Sequence, residues 1–439
     1  MKLTLGTLCA GLLSSAAVFA GPLPTEATDD DFHQFPQELI MLGRDLFFDP
    51  ILSGNKNIAC ATCHHPSLGT SDAMSLSVGE GGIGLGEDRH VDADNAPKAR
   101  IPRNAPVLFN LGAREFSVMF HDGRTAKDRH AMFGIRMPEG RTLERPMPSA
   151  LAAQNILPIL SPDEMAGHPG ENDIADAVAA EHILGPDGAW DLLTKRVDGI
   201  PEYSDRFDAL GRTDLHITDI GTALSAFIGS EFRATNSPFD QYLQGGDAMN
   251  EAQLDGMDLF YGKARCSTCH TGTFQTDHNF HAIGLPQLGP GKNTHAAYAD
   301  TGHGMVSGDP EDMYRFRTPT LRNVTQSAPY GHNGAYTDLE DVVRHHLNAV
   351  QGLASYDRNK PLLSAEVATD DWKAMDDFEE VMRIAEAIEI SDVALDEIEI
   401  DKIMAFLGAL TDETVGKKGL GVPVSVPSGL PLDQVSPPS

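Results

Sequence analysis

Four cysteines stand in two matching frames, Cys60-Ala-Thr-Cys63-His64 and Cys266-Ser-Thr-Cys269-His270. Two thiols separated by two residues can add to the two vinyl groups of a haem. The histidine that follows at once then reaches the iron as proximal ligand. A zinc ribbon needs its two cysteine pairs much closer together than these. A redox dithiol of the thioredoxin kind needs a βαβ setting, and the sequence shows little strand patterning. The spacing therefore assigns two covalent c-type haems, with His64 and His270 as proximal ligands. His65 reads as a surface neighbour of the first site.

The next question is which iron keeps an open face. Downstream of the second frame, Leu339, Val342, Val343, His346 and Leu347 fall at i, i+3, i+4, i+7 and i+8. That is one buried face of a helix, with His346 on it and His345 turned about 100° away. A lone histidine on such a face is ordinarily a satisfied core residue. Beside a haem it reads as a sixth ligand, which would close the second haem as a bis-histidine site. Downstream of the first frame, the stretch Gln154 to Met165 sets one carboxylate, Glu164, among apolar residues and prolines. A carboxylate in such a pocket can move a proton. The plain alternative is a turn or a helix cap, since Ser-Pro-Asp-Glu is common turn chemistry.

Positioning these groups takes helices. Leu39, Leu42 and Leu46 recur at helical spacing before Cys60, and Leu254, Met257 and Phe260 do the same before Cys266. The repeat suggests a duplicated helical unit. Further helical patterns run through Ile174–Ala179, Ile217–Ile228 and Ile400–Leu407. The expected fold is mainly α, with two cytochrome-c-like helical domains that each carry one haem. The expected organisation is a signal peptide over 1–20, a first haem domain over 21–212, a second over 213–412, and a disordered proline-rich tail over 413–439.

The fifth cysteine, Cys9, lies in a short apolar run after Lys2 that ends in Val18-Phe19-Ala20. This has the form of a secretory signal peptide cut after about Ala20. It implies export, most simply to a bacterial periplasm, and no later segment is apolar enough to span a membrane. The formal charge of −31 argues against nucleic acid as a partner. It suits a basic protein partner, or simple solubility.

The ordered motifs CATCH, RNAP, HDGR, Gln–Pro–Glu-Met, CSTCH, TPTLRN and PYGHNG resemble the bacterial diheme cytochrome c peroxidase family, which includes enzymes that oxidise tryptophan or tyrosine on partner proteins. The resemblance runs from about Pro36 to Leu410. It implies a low-potential peroxidatic haem in the first domain and a high-potential haem in the second. The substrate would be hydrogen peroxide, and the electron donor a small periplasmic cytochrome c or cupredoxin. Family members often form homodimers. By position, Glu164 matches the acid/base of O–O cleavage, with Gln154 and Pro158 lining the distal pocket. Asn104, Ser327 and Pro329 match an interdomain calcium site. Three departures stand out. A removable distal histidine found in many members is replaced by Glu80, with His90 nearby in the same loop. The methionine usual at the high-potential haem is replaced by His346. The tryptophan between the haems is replaced by His121. The segment between Arg124 and Gln154 is also long, and it carries Arg129, Arg136, Arg141 and Arg145.

Overall fold

The computed structural model describes residues 23–138, 140–292, 298–417 and 419–433. The expected signal peptide, 1–20, lies outside them. Helices dominate, with three small antiparallel sheets. In each half, the helix ahead of the cysteine frame lies against a later helix. Gln37–Phe48 packs on Ile217–Glu231, and Glu251–Tyr261 packs on Glu397–Ala409.

The two crossings repeat in detail. A Cβ on Gly43 would lie 1.8 Å from the Ala223 carbonyl oxygen and 2.9 Å from the Phe227 Cβ. A Cβ on Gly256 would lie 1.8 Å from the Lys402 carbonyl oxygen and 2.9 Å from the Phe406 Cβ. Backbone meets backbone at both places, so only glycine fits. Rings then fill the space beside each crossing. Phe47 stands 5.2 Å from Phe227 and 6.0 Å from Phe232. Phe406 stands 5.2 Å from Phe239 and 5.1 Å from Phe260. The duplication read from the sequence is thus a repeated helix pair.

Two boundaries differ from expectation. The Ile217–Glu231 helix and Ala234 belong to the first core, so the first unit does not end at 212. The stretch Gly211–His216 around the expected boundary is only the loop between two helices of one unit, with His216 capping the second. The tail also differs. Within its described part, the Leu420 and Gly421 N–H groups donate to the Glu231 carboxylate at 2.7 and 3.0 Å. Ser428 Oγ donates to Asp49 at 2.6 Å, Val426 is buried in the first core, and the Thr62 hydroxyl donates to Asp433. Residues up to Asp433 therefore cross back over the first domain. Proline-rich chain can bury side chains and satisfy its few N–H groups without helix or strand.

The long loops carry the small sheets. Gly82–Ile83 pairs with His90–Val91, and Phe280–His281 pairs with Phe316–Arg317. In the long basic segment, Thr125–Lys127 pairs with Val118–Met119 on one side and Ile135–Arg136 on the other. Its hairpin tip exposes Met132 and Phe133.

Candidate functional site

One cavity gathers most of the first-site residues. It holds about 1100 Å³ of non-protein space, part of it open to solvent. Cys60, Cys63 and His64 line one side, while Gln154, Pro158 and Glu164 also line it, and Asn104 and His121 reach it from the domain junction. The cysteines sit on the short helix Cys60–Cys63, which ends at His64. The His64 Nδ1 meets the Thr70 carbonyl at 3.0 Å. That bond places the proton on Nδ1 and leaves Nε2 as the free ligand atom. Burial lowers the His64 pKa, which keeps the ring neutral. Burial pushes the Cys60 and Cys63 thiols up to about 12. These are inert thiols, unlike the low-pKa pair of a redox dithiol.

The wall carrying Gln154, Pro158 and Glu164 is built from short turns. Ser149 Oγ accepts the Ala152 N–H at 3.1 Å and caps the helix Ala150–Gln154. A 3-10 turn, Pro158–Leu160, follows, and Glu164 then sits in a one-turn π-helix, Pro162–Ala166. Such turns re-aim a side chain within a few residues. The Gln154 Oε1 is buried without a hydrogen-bond partner. A buried orphan oxygen is costly unless a ligand satisfies it. The mostly apolar space, the paired thiols and the free imidazole nitrogen fit a haem.

Sequence reasoning assigned no role to the cations here. Arg103, Arg124 and Lys292 line the same cavity. Arg103 is buried and donates to Asp122 at 2.6 Å and to both oxygens of Asp300 at 2.6 and 2.8 Å. Burial alone would raise the Asp122 pKa, but Arg103 and Arg124 hold it down at about 2. Lys292 comes from the second half of the chain. Burial, then Arg124 and Arg103, bring its pKa down to about 8. Cationic groups lining the space suit the carboxylates a haem carries. Arg103 and Arg124 were visible in the RNAP and HDGR motifs, whereas nothing near Lys292 in the sequence signals its place.

The second site is made differently. Cys266–Thr268 forms a single 3-10 turn, and the His270 Nδ1 meets the Gln275 carbonyl at 3.2 Å. Across from it stands His346, with ring centroids 6.5 Å apart. The His346 Nδ1 is bonded to the Val342 carbonyl at 2.8 Å, so each ring keeps Nε2 free. Two metal–imidazole bonds of about 2 Å each plus two half-rings account for that spacing. The helix Leu339–Leu347 carries His346 as expected, but its stripe of Leu339, Val342, Val343 and Leu347 is only half-buried. Its most buried side chain is His345.

Several residues stand elsewhere than expected. His65 is buried, not a surface residue, and its Nδ1 lies 2.6 Å from the Ser67 hydroxyl. Glu80 is buried but does not line the first cavity, and its Oε1 accepts from Asn55, Asn57 and Asn95 at 2.7–2.8 Å. His90 is exposed. His121 bridges the halves: its Nε2 donates to the Asn104 carbonyl at 3.2 Å, and its own carbonyl accepts the Arg317 N–H at 2.8 Å. Burial, then Arg103 and His332, push its pKa down to about 3, so it is neutral. Asn104 Nδ2 donates to the Pro329 carbonyl at 2.6 Å, while Asn104 Oδ1 is buried without a partner. Ser327 lies two residues before Pro329 at the same junction.

Two cysteine–histidine frames, one at a cavity that Gln154, Pro158 and Glu164 also line and one faced by a second histidine, suit a di-haem protein of the c-type. The profile of the di-haem cytochrome c peroxidase family matches residues 37–248. The chain is 30% identical to the methylamine utilization protein MauG of Methylorubrum extorquens over 71% of this chain and 69% of that one. It is 29% identical to cytochrome-c peroxidase IdrP2 of Denitromonas iodatirespirans over 70% and 72%. A solved MauG-like protein associated with microbial copper homeostasis covers 92% of this chain and 97% of its own, with a TM-score of 0.54 at 24% identity. This chain belongs to the di-haem cytochrome c peroxidase family, and the family implies two c-type haems. No helix among the described residues is long and apolar enough to cross a membrane.

Proposed function

We propose that the protein is an exported, periplasmic peroxidase that reduces hydrogen peroxide to water, with electrons from a small cytochrome c or cupredoxin. One observation carries this reading. Glu164 and the unpartnered Gln154 Oε1 face the cavity of Cys60, Cys63 and His64, whereas His346 stands opposite His270 at the second site. The first haem is thus the peroxide site and the second the electron store. The bound haems supply the iron and the electrons. The chain supplies proton control. Glu164 takes the proton from one peroxide oxygen and returns it to the other, so water leaves rather than hydroxide. Gln154 orients the oxygen between them, and Pro158 narrows the wall. Two electrons and two protons convert one peroxide to two waters. Arg103, Arg124 and Lys292 hold the haem carboxylates. Asn104 Oδ1, with its amide turned, would join the Ser327 and Pro329 carbonyls around a calcium ion.

A second reading is peroxide-driven oxidation of tryptophan or tyrosine in a partner protein. The kinship to MauG, His346 in place of methionine and His121 in place of an indole favour it. Titrating the as-isolated and half-reduced haem-loaded protein with peroxide separates the two. Steady turnover with reduced cytochrome c supports the first. A long-lived oxidised spectrum that one specific protein discharges supports the second. Two haems that ignore peroxide in every redox state would overturn both.

A further inference from the structure

The second site is the start of a line of aromatic rings that runs to the surface. His346 stands 6.3 Å from His345, His345 stands 5.5 Å from Tyr336, Tyr336 stands 5.3 Å from Tyr356, and Tyr356 stands 6.0 Å from Trp372, all between ring centroids. Tyr336 is buried, Tyr356 and Trp372 are half-buried, and Arg358 lies over the Trp372 ring. The chain has only eight tyrosines and two tryptophans, yet three of these ten stand end to end here. The other tryptophan, Trp190, is buried in the first core and spends its indole N–H on the Ile156 carbonyl.

We infer that Tyr336, Tyr356 and Trp372 form an electron relay, through which the second haem, once oxidised, draws electrons from a reductant docked at Trp372. The inference rests on His346 closing the second haem and names where its electrons enter. The hydrogen bonds assign a role to each ring. The His345 Nε2 lies 2.7 Å from the Ile283 carbonyl, so its proton is there and Nδ1 is an acceptor. The Tyr336 hydroxyl donates to that Nδ1 at 3.0 Å. When an oxidising equivalent derived from peroxide reaches the second haem, Tyr336 gives it one electron and its phenol proton moves along this bond to His345. When an electron arrives from Trp372, the proton returns. Tyr356 donates to the Ala335 carbonyl, which cannot take a proton. It bridges Tyr336 and Trp372 without being oxidised itself. Trp372 is refilled by a one-electron donor or by an oxidisable side chain of a docked protein, so one electron crosses for each one the haem consumes.

The path can be driven in reverse without peroxide. A ruthenium photo-oxidant is attached to the holoprotein through Asp370→Cys, an exposed position two residues from Trp372. A flash then removes an electron from the reduced second haem, followed by its absorbance. Trp372→Phe and Tyr336→Phe should each slow that oxidation at least about tenfold, about 1.4 kcal/mol in activation free energy. Tyr356→Phe should keep the rate and Tyr356→Leu should lose it. The reduced spectrum of the second haem should be the same in all four. Equal rates in the parent and in Trp372→Phe would overturn the relay. Such a failure would leave peroxide reduction at the first site standing, because the flash uses none.

Discussion

The two haem sites begin from the same five-residue frame and end as opposites. At the first, short turns bring an amide and a carboxylate to the cavity that His64 also lines. At the second, a regular helix brings an imidazole to within 6.5 Å of its partner ring. The proximal sides are alike, since His64 and His270 both spend Nδ1 on a carbonyl a few residues on. On the proposed reading, the catalytic difference between the duplicated halves lies in these elements. Irregular turns would bring proton-moving groups, while a helix would supply a ligand.

The comparison breaks most completely at His346. His346→Ala should convert the second haem from a six-coordinate low-spin to an open high-spin spectrum, and an unaltered low-spin spectrum would reject the ligand assignment. Glu164→Gln should leave both haems attached and cut peroxide turnover at least about 10²-fold, the usual scale for an acid/base. Unchanged turnover would remove Glu164 from the mechanism. Arg103→Ala leaves Asp300 buried without its cation and Asp122 with Arg124 alone, and should cost about 3–5 kcal/mol in denaturant unfolding of the haem-loaded protein. A loss within error would show that the domain junction does not depend on this network. Glu231→Ala removes the acceptor of two tail N–H groups. It should cost about 1.5–3 kcal/mol and expose the tail to protease, and full protection would show that the strap is held elsewhere.

The smallest effect is in acid. The pKa values of Asp122 and Asp300 are depressed in the folded chain, where Arg103 outweighs burial. Their stabilisation is therefore complete above the unfolded carboxylate value of about 4 and is lost as pH falls toward the folded value of about 2 for Asp122. Thermal unfolding between these limits should show the loss in the parent and a smaller loss in Asp122→Asn, where Asp300 still contributes. An identical slope in both would reject the linkage.

Much of the site was legible because its signals are local. The cysteine frames, the helical stripe holding His346 and the Gln154–Glu164 run are each contained in a few residues. The stripe was read as one buried face and is half-buried, with Leu339 and Val343 packed at the margin of the second core and Val342 at that of a smaller cluster, while Tyr336 and the Ile283 carbonyl cover His345. The boundary near 212 was misplaced because a polar loop looks the same within a domain as between domains. The tail was read as loose because proline content signals lack of regular structure and says nothing of packing.

By itself the sequence determined the two cysteine–histidine frames, the mainly helical halves and their duplication, since thiol spacing and helical periodicity are properties of adjacent residues. Only the tertiary structure decided that Lys292 reaches the first cavity, that Arg103 joins Asp122 to Asp300, that Glu80 and His90 stay out of the pocket, and that three aromatic residues align from His345 to the surface. Those contacts join residues tens to hundreds of positions apart, and they exist only because two helix crossings fix where the loops between them can lie.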